Sequence, residues 1–417
     1  MPQHPIIYWS LMLTFAIIGK TNVGKTTLFN AATLLNAEIS NYPFTTKEPQ
    51  GGTAYVCDLC VCRELELEDN PQNSACIDGW RYIPVRIIDV PGLVKDAWRG
   101  RGLGNRFLSA IGQADALIHV VDASGSIDEE GKIDKPGSGN PVQDVMDIEM
   151  EIELWISHII DRNKSQIIHD IVHQGLVDAL NKSLTGIKTK PTHVEEALKK
   201  AELATKLFKD WTPEDILEFA HQLLPIIKPT LIIANKMDLP TAEENLEKLT
   251  EYYSHSLVAA CSAEAELALR LADKSGLIKY MPGQETFKII DKDALTLEQQ
   301  KAIEYIEQNV MHKYMRTGIQ QALNTIVFKL LKMNMIYPVS DDQQFSDNHG
   351  NILPDVHLLQ DGATPLDLAE NIHTSLKDNY ILAIDARTGL RLPKNYTLRH
   401  RDVVRIMTQK RQKTKKE

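Results

Sequence analysis

The chain has 417 residues, of which 43% are hydrophobic, so it can bury more than one core and two or three domains are expected. The net charge is −10, which means that any basic surface must be local. No run of eighteen apolar residues is present, and this predicts a protein without a membrane-spanning helix.

The N-terminal segment, residues 1–11, precedes the first predicted strand and is interpreted as an extension. Residues 6–18 are moderately apolar, but they have no basic flank and lead directly into a motif that must fold in the cytosol. We therefore expect no signal peptide. A cytoplasmic protein without membrane contact is predicted, and a monomer is expected.

A phosphate-binding loop lies between an apolar run, residues 13–18, and a helical pattern, residues 28–35. Its glycines allow successive backbone N–H groups to turn toward bound phosphates at the positive end of a helix. In this pattern Lys25 reaches the β- and γ-phosphates, and the Thr26 hydroxyl binds Mg²⁺. The predicted nucleotide-binding residues here are Gly19, Lys20, Thr21, Asn22, Val23, Gly24, Lys25, Thr26 and Thr27.

Four of the five cysteines cluster after this motif, between residues 57 and 76. Zinc ribbons use two close pairs of cysteines, whereas Cys76 is distant from the other three, so the spacing matches poorly. If residues 56–67 and 81–88 form neighbouring strands, alternate cysteines are small buried residues or reduced thiols. Structural zinc is the alternative, and metal analysis of the purified protein would test it.

A predicted buried strand, residues 84–89, ends in a second motif for the triphosphate. Asp89 can hold Mg²⁺ through water, and the Gly92 N–H can meet the γ-phosphate. The next residue, Leu93, has neither donor nor acceptor with which to orient an attacking water. Catalysis therefore needs another group or is slow.

Three side chains and one cation are candidates for that missing role. Arg99 and Arg101, in a glycine-rich stretch, can supply positive charge to the transition state. His119, in the predicted strand over residues 116–122, can face the site, although a hydrogen-bonded core histidine is the favoured interpretation. The side-chain oxygen of Asn22 can bind a K⁺ lying between phosphates.

A third motif, Asn235-Lys236-Met237-Asp238, follows another apolar run, residues 229–234. The Asp238 carboxylate offers two acceptors to the N1–H and 2-amino groups of guanine, and adenine has no such pair of donors. This favours GTP over ATP. Past the next helix, residues 257–260 lead into Cys261-Ser262-Ala263, where a main-chain N–H can meet the guanine O6.

The remaining segments suggest how the chain is divided. Residues 141–227 have helical periodicity and are predicted to form an inserted helical hairpin, and residues 286–335 continue as helices, including residues 297–312 and 318–333. A strand-helix-strand pattern follows residue 336. The predicted division begins with an N-terminal extension (residues 1–11), a first part of the nucleotide domain (12–127) and a helical insertion (128–227). It continues with a second part of the nucleotide domain and its closing helices (228–335), a small C-terminal domain (336–409) and a basic tail (410–417).

Charge is concentrated at the C-terminal end. Residues 387–417 contain eleven Lys and Arg residues against two acids, although the whole chain is acidic. Such a local basic region is expected where a protein contacts a phosphate backbone. Residues 410–416 lack aromatic side chains, so stacking on bases is not indicated there. The prediction is contact with RNA or the ribosome.

Four motifs together resemble the Obg-type GTPases, in particular the YchF subfamily in its archaeal form. They are residues 19–26, 41–46, 89–94 and 100–105. The resemblance implies an α/β P-loop NTPase G domain with a mostly parallel sheet and helices on both faces, a helical insertion, and a C-terminal β-grasp (ubiquitin-like) TGS domain. The TGS module is indicated by residues 361–369 and 383–387.

The same resemblance assigns roles to three residues. It implies that Thr46 binds Mg²⁺ and the γ-phosphate, that Leu93 is the family's hydrophobic replacement of glutamine, and that Asn22 is the loop asparagine of cation-dependent relatives. Many bacterial and eukaryotic YchF proteins lack the aspartate that corresponds to Asp238 and prefer ATP. This chain keeps it, which favours GTP.

The sequence therefore predicts a Mg²⁺-dependent switch that binds GTP and GDP, hydrolyses GTP slowly and contacts the ribosome or RNA through its TGS domain and basic tail. One alternative is an ATP-preferring ATPase of the same family. Another is a nucleotide-regulated RNA-binding or ribosome-binding module with negligible hydrolysis, which Leu93 keeps open.

Overall fold

The first sheet of the computed structural model organises the nucleotide-binding motifs. The structure describes residues 12–34, 51–90, 110–128 and 131–409, and in these ranges the sheet has seven strands. They are β1 (Thr14–Ile18), β2 (Gly51–Leu59), β3 (Ala75–Ile77), β4 (Trp80–Asp89), β5 (Ala116–Asp122), β6 (Thr230–Asn235) and β7 (Leu257–Ala260). Their order is β2-β4-β1-β5-β6-β7, and β3 also pairs with β4.

Five of these strands, β4, β1, β5, β6 and β7, are parallel neighbours, whereas β2 and β3 run antiparallel to β4. Every residue of β1 and β5 is buried, as expected for parallel strands covered on both faces. Because the parallel strands share a direction, their carboxyl ends meet at one edge. The three nucleotide-binding motifs predicted from the sequence begin at this edge.

Nine helices accompany this sheet in the described ranges up to residue 274. They are α1 (Lys25–Thr33), α2 (Cys62–Leu65), α3 (Pro141–Arg162), α4 (Lys164–Gln174), α5 (Leu176–Ser183), α6 (Pro191–Lys200), α7 (Pro213–Ile227), α8 (Ala242–Tyr252) and α9 (Ala263–Lys274). The strand predicted over residues 56–67 was wrong beyond Leu59, because the chain turns into α2 there.

Helices α3 to α7 form the helical insertion, and the predicted hairpin was wrong because the segment divides into five helices. Helix α4 ends at Gly175, which has a positive φ angle, whereas α6 and α7 begin at Pro191 and Pro213, because the first position of a helix needs no intrahelical N–H donor. The Asn140 side chain caps α3 by accepting hydrogen bonds from the Val142 and Gln143 N–H groups. The predicted apolar stripe is buried as internal packing, at Ile148, Ile152, Ile156 and Ile160.

A two-stranded sheet and a group of closing helices follow. The strands are β8 (Ile278–Lys279) and β9 (Lys288–Ile289), and the helices are α10 (Leu297–Ile306), α11 (His312–Tyr314) and α12 (Ile319–Asn324). Wider π-helical turns extend α10 and α12 over Glu307–Met311 and Thr325–Leu330. The helix predicted to reach residue 333 was wrong at its end, because the chain enters a strand at Met333. None of the described helices meets the length and apolarity that a bilayer crossing requires.

The C-terminal domain is built on a second sheet of five strands in the described ranges. Its elements are β10 (Met333–Val339), β11 (His357–Gln360), α13 (Pro365–Ile372), α14 (Thr374–Asp378), β12 (Tyr380–Asp385), β13 (Arg391–Leu392) and β14 (Val403–Thr408). The strand order is β11-β10-β14-β12-β13, and β10 and β14 are parallel at the centre. One helix, α13, packs across the sheet, which is the predicted β-grasp arrangement. The sequence prediction missed β10, so this sheet begins a few residues before 336.

Candidate nucleotide-binding site

The phosphate-binding loop occupies the turn between β1 and α1, as the sequence predicted. Its glycines are required by geometry, because Gly19 and Gly24 have φ angles of 142° and 98°. A Cβ atom on Gly24 would lie 2.3 Å from the Asn235 side-chain nitrogen. The loop therefore packs closely against the end of β6, where the predicted base-reading segment, residues 235–238, begins.

Lys25 is buried at the start of α1, and its ammonium group donates to the Lys20 carbonyl oxygen. Burial lowers the pKa of Lys25 to about 8, and the nearby Asp89 carboxylate opposes that change only in part. A buried cation that lacks a full counter-charge favours an anionic ligand. Bound phosphates would supply that charge, so this environment fits the predicted role of Lys25.

Two predicted Mg²⁺ ligands meet at the ends of β4 and the loop. The Thr26 hydroxyl donates to Oδ2 of Asp89 at 2.9 Å. The other carboxylate oxygen, Oδ1, is buried and has no hydrogen-bond partner among the described residues. Burial raises the pKa of Asp89, with Thr26 and Lys25 acting in the opposite direction. An unpaired buried oxygen beside a hydroxyl fits a hard divalent cation.

The base-reading segment is attached to the phosphate-binding loop through Asn235. Its side-chain nitrogen donates to the Val23 carbonyl oxygen at 2.9 Å, and its oxygen accepts from the Ala263 N–H at 3.0 Å. Ser262 donates from its hydroxyl to Oδ1 of Asp238 at 2.6 Å. Asn235 therefore joins two loops, while Ser262 orients the carboxylate that is predicted to read the base.

The main-chain N–H groups predicted to meet the guanine O6 have other partners in the structure. The Ser262 N–H donates to the Thr317 carbonyl oxygen, and the Ala263 N–H donates to Asn235. The Cys261 N–H donates to the Ala234 carbonyl oxygen, so all three main-chain donors of the segment predicted to meet the guanine O6 are already hydrogen-bonded. Ser262 acts on the site through its hydroxyl instead. Lys236 has a left-handed backbone, with φ of 62°, and its ammonium group lies 2.9 Å from a carboxylate oxygen of the buried Asp122.

Several residues that support the site were missed by the sequence analysis. The Tyr305 hydroxyl donates to the Asp238 carbonyl oxygen at 2.9 Å, and the Tyr314 hydroxyl donates to that of Met237 at 3.1 Å. Both tyrosines belong to the closing helices, about 70 residues downstream. Their sequence carries no signal for this role, because their partners are backbone atoms of a distant loop.

The phosphate-binding loop also contacts the segment that leads into the helical insertion. The Lys20 ammonium group lies 2.8 Å from Asp144 and 2.7 Å from Asp147 on α3. Thr21 and the Asn22 side-chain nitrogen both donate to the Gly131 carbonyl oxygen. The Asn22 contact uses the nitrogen, so it does not occupy the oxygen predicted to bind K⁺. Thr27 lies in the first turn of α1.

Five predicted residues lie outside the described ranges. They are Thr46, Gly92, Leu93, Arg99 and Arg101. Their predicted roles at the γ-phosphate and in catalysis remain expectations from the sequence.

His119 is fully buried in β5, where it pairs with Ile18 of β1 and Ile232 of β6. His119 was correctly predicted to lie in the core, but the prediction that it is hydrogen-bonded was wrong. Neither ring nitrogen has a hydrogen-bond partner within the described ranges. Burial, followed by repulsion from Lys25, lowers its pKa to about 3. His119 is therefore neutral near pH 7 and has no proton to give there as a general acid.

We expect this histidine to make the protein sensitive to acid. Its pKa in the unfolded chain, near 6.5, exceeds its folded value, so the unfolded state binds the extra proton as the pH falls below about 6.5. The free energy of unfolding should then fall by up to about 1.4 kcal/mol per pH unit. Denaturant unfolding from pH 7 to pH 4 should show this slope, and His119→Leu should reduce it. His255→Gln, at an exposed position, is the control, and equal slopes in both variants would contradict the prediction.

The fold and these contacts define a P-loop nucleotide-binding protein of the GTPase class. Three family descriptions match the chain: "50S ribosome-binding GTPase" over residues 14–147, "Obg-like GTPase YGR210-like, G4 motif-containing domain" over residues 233–341, and "TGS domain" over residues 349–408.

Individual relatives agree with these matches. A GTP-binding protein of Methanocaldococcus jannaschii is 42% identical over 95% of this chain and 99% of its own length. The crystal structure of a GTP-binding protein from Pyrococcus horikoshii is 34% identical, covers 95% of this chain and all of that chain, and superposes with a TM-score of 0.76. The ribosome-binding ATPase YchF of Bacillus subtilis is 29% identical over 65% of this chain and 70% of its own length.

The chain belongs to the YchF-type Obg-like GTPases. The predicted fold class, a P-loop GTPase domain with a mostly parallel sheet and a C-terminal TGS domain, is confirmed.

Proposed function

We propose that this protein is a guanine-nucleotide switch that binds GTP and GDP and hydrolyses GTP slowly with Mg²⁺. The observation that carries the proposal is the Asp238 carboxylate, which Ser262 holds in place beside a phosphate-binding loop that Asn235 joins to the same segment. A fixed pair of carboxylate oxygens complements the two donors of guanine. The proposal includes the domain division at residues 11, 127, 227 and 409, with the boundary predicted at residue 335 moved to residue 332, because β10 begins at Met333.

The proposed mechanism begins with the charges at the phosphate-binding loop. On binding, the triphosphate takes up the hydrogen bonds of the loop amides, and Lys25 exchanges the Lys20 carbonyl oxygen for phosphate oxygens. Thr26 and Asp89 are the described residues that would hold Mg²⁺, with Thr46 as the further predicted ligand. When bound, the ion would neutralise negative charge on the phosphates.

Slow hydrolysis follows from the side chains available to the attacking water. Leu93 cannot orient that water, and His119 is neutral and buried within the sheet. We expect an intrinsic rate of roughly 10⁻⁴ to 10⁻² s⁻¹, the range of unassisted switch GTPases. Arg99, Arg101 and a K⁺ bound by Asn22 are the candidates for acceleration.

The proposed partner is the ribosome or RNA, and the name of the Bacillus relative supports the ribosome. Some of the basic residues in the C-terminal region already form ion pairs within the protein, which leaves fewer of them to bind phosphates. Arg387 and Arg401 both form ion pairs with Glu64 of α2, and Arg405 pairs with Asp342. The exposed positive side chains left in the described part of this region include Arg391, Lys394 and Arg399. Together with residues 410–416, they would contact phosphates.

Single-turnover hydrolysis separates the proposal from its alternatives. Purified protein is mixed with limiting GTP or ATP in K⁺ or Na⁺ buffer, with and without ribosomes. We expect GTP to be consumed slowly in Na⁺ buffer and faster with K⁺ or ribosomes, because Leu93 leaves the water without an orienting group. Ribosome association should weaken steeply with salt. Intact GTP in every condition would support a pure binding module, and preferential ATP turnover would support the ATPase that the Bacillus relative's name suggests.

A further inference from the structure

Three cysteines and one aspartate converge at the end of β2, away from the nucleotide-binding site. The ligand atoms of Cys60, Cys62, Cys76 and Asp69 all lie within 4.8 Å of one another. Cys60 and Cys62 are buried, and Cys76 is partly buried. The turn into α2 brings them together, which an extended strand over residues 56–67 would not have done. Cys57, three residues before Cys60, is not part of the group.

The distances within this cysteine cluster suit a tetrahedral metal ion. Two sulfur atoms at about 2.3 Å from a tetrahedral zinc are about 3.8 Å apart, and the Sγ atoms of Cys62 and Cys76 are 3.7 Å apart. The Cys60 Sγ lies 3.3 Å from Oδ2 of Asp69, close to the sulfur-to-oxygen separation of about 3.6 Å around such an ion. A disulfide needs about 2.05 Å and would leave the third thiol unused.

A fully buried arginine orients one of the four groups, the Asp69 carboxylate. The Arg81 guanidinium donates to Oδ2 of Asp69 at 2.8 Å and to the Ser74 hydroxyl at 3.0 Å. Metal ligands in proteins are typically held in orientation by hydrogen bonds from neighbouring groups that do not themselves touch the metal. Its positive charge also offsets part of the negative charge of three thiolates and a carboxylate. The protein thus places a compensating cation where a metal–thiolate centre requires one.

We propose that Cys60, Cys62, Cys76 and Asp69 bind one Zn²⁺ ion as a structural site. Four protein ligands close the coordination sphere, so no position is left for a substrate. Binding converts the cysteine thiols to thiolates, with release of their protons to solvent. Three sulfur ligands favour zinc over Mg²⁺ or Ca²⁺, which prefer oxygen.

The site would hold the C-terminal domain against the nucleotide-binding domain. Its loop, residues 66–74, donates from the Asn70 and Gln72 N–H groups to the carbonyl oxygens of Ile352 and Pro354, at 2.8 and 2.6 Å. Arg81 donates to the Leu353 carbonyl oxygen at 3.0 Å. Because the Asn70 and Gln72 contacts come from the segment that the cluster closes, and Arg81 holds the Asp69 ligand, a bound metal would fix the surface on which residues 352–354 rest.

Metal analysis of the full-length protein tests this proposal. The protein is expressed with zinc in the medium and purified without chelator, and its zinc is measured by mass spectrometry. We expect one zinc per chain in the wild type and in Cys57→Ala, which removes a buried thiol outside the cluster. Cys62→Ser, Cys76→Ser and Asp69→Ala should each lose most of it. Zinc-free wild type that also binds none on titration, or iron in its place, would overturn the proposal, as would equal losses in Cys57→Ala.

A second measurement on the wild type covers variants that fail to fold. After zinc removal with a chelator, added Co²⁺ should give the intense visible absorption of tetrahedral cobalt–thiolate, and three more thiols should react with a thiol reagent than before removal. Hydrogen exchange at the Asn70 and Gln72 amides, which donate to the C-terminal domain, should rise on chelation and fall again when zinc is restored. A Cys62–Cys76 disulfide in freshly purified protein, or unchanged thiol reactivity, would contradict the metal site.

Discussion

Replacing Asp238 with Asn is expected to lower GTP affinity by on the order of 10² to 10⁴-fold and to admit xanthosine triphosphate. The carboxylate would lose two charge-assisted hydrogen bonds to guanine, worth about 1.5–3 kcal/mol each. Asparagine can donate to the C2 carbonyl of xanthine while it accepts from N1–H. Titration calorimetry with GTP, ATP and xanthosine triphosphate in Mg²⁺ measures the change.

The structure offers a matched control for this substitution. Glu247→Gln makes the same carboxylate-to-amide change at an exposed position on α8 and should leave all three affinities unchanged. The tyrosine contact at position 238 uses the backbone oxygen, so the loop keeps that support in Asp238→Asn. Unchanged GTP affinity in Asp238→Asn, or tighter binding of ATP than of GTP by the wild type, would show that this carboxylate does not select the base.

Lys25 and Lys20 both belong to the phosphate-binding loop, but we expect their substitutions to affect different properties. Lys25 should affect GTP affinity, and Lys20 should affect the free energy of unfolding. Lys25→Ala is expected to weaken GTP binding by about 10³-fold, because it removes charged hydrogen bonds to two phosphates. Lys20→Ala should change the affinity by less than about threefold, since its ammonium group is paired with Asp144 and Asp147 on α3. Its cost should be a lower free energy of unfolding, measured with urea.

The pH dependence of binding gives an independent readout for Lys25. Its pKa of about 8 in the free protein means that it loses its proton at lower pH than an ordinary lysine. Wild-type GTP affinity should therefore fall as the pH rises above about 8, while affinity in Lys25→Ala should be insensitive to pH in that range. Equal effects of the two alanine substitutions on GTP affinity would contradict the assigned roles.

The cysteine residues illustrate how far spacing alone can be interpreted. Their positions along the chain predicted buried thiols, since no pair of close pairs is present. Their convergence depends on the turn that ends β2 at Leu59 and on the return of the chain through β3, which places Cys76 beside Cys62. Asp69 was not a candidate, because a lone carboxylate in a loop has no signal until its neighbours are known.

The helical insertion shows a related limit. Periodicity correctly identified the buried face of α3, because an apolar residue every three or four positions defines one side of a helix. It could not count the helices, since the end of α4 at Gly175 and the start of α6 at Pro191 depend on single residues inside a long periodic stretch. The same reasoning missed β10, where a short apolar segment suits either a helix or a strand.

The sequence by itself determined the family and fold class and predicted the chemistry of the nucleotide-binding site, because a phosphate cradle and a base-reading carboxylate depend on residue types at fixed spacing within short loops. The roles of Gly24, Lys25, Thr26 and Asp238 were predicted on that basis. Only the tertiary structure decided which groups are already hydrogen-bonded, such as the Ser262 and Ala263 amides. It also decided which polar groups are buried without a hydrogen-bond partner among the described residues, and which cysteines lie close together. Those outcomes depend on contacts between residues far apart in the chain, and local patterns carry no record of them.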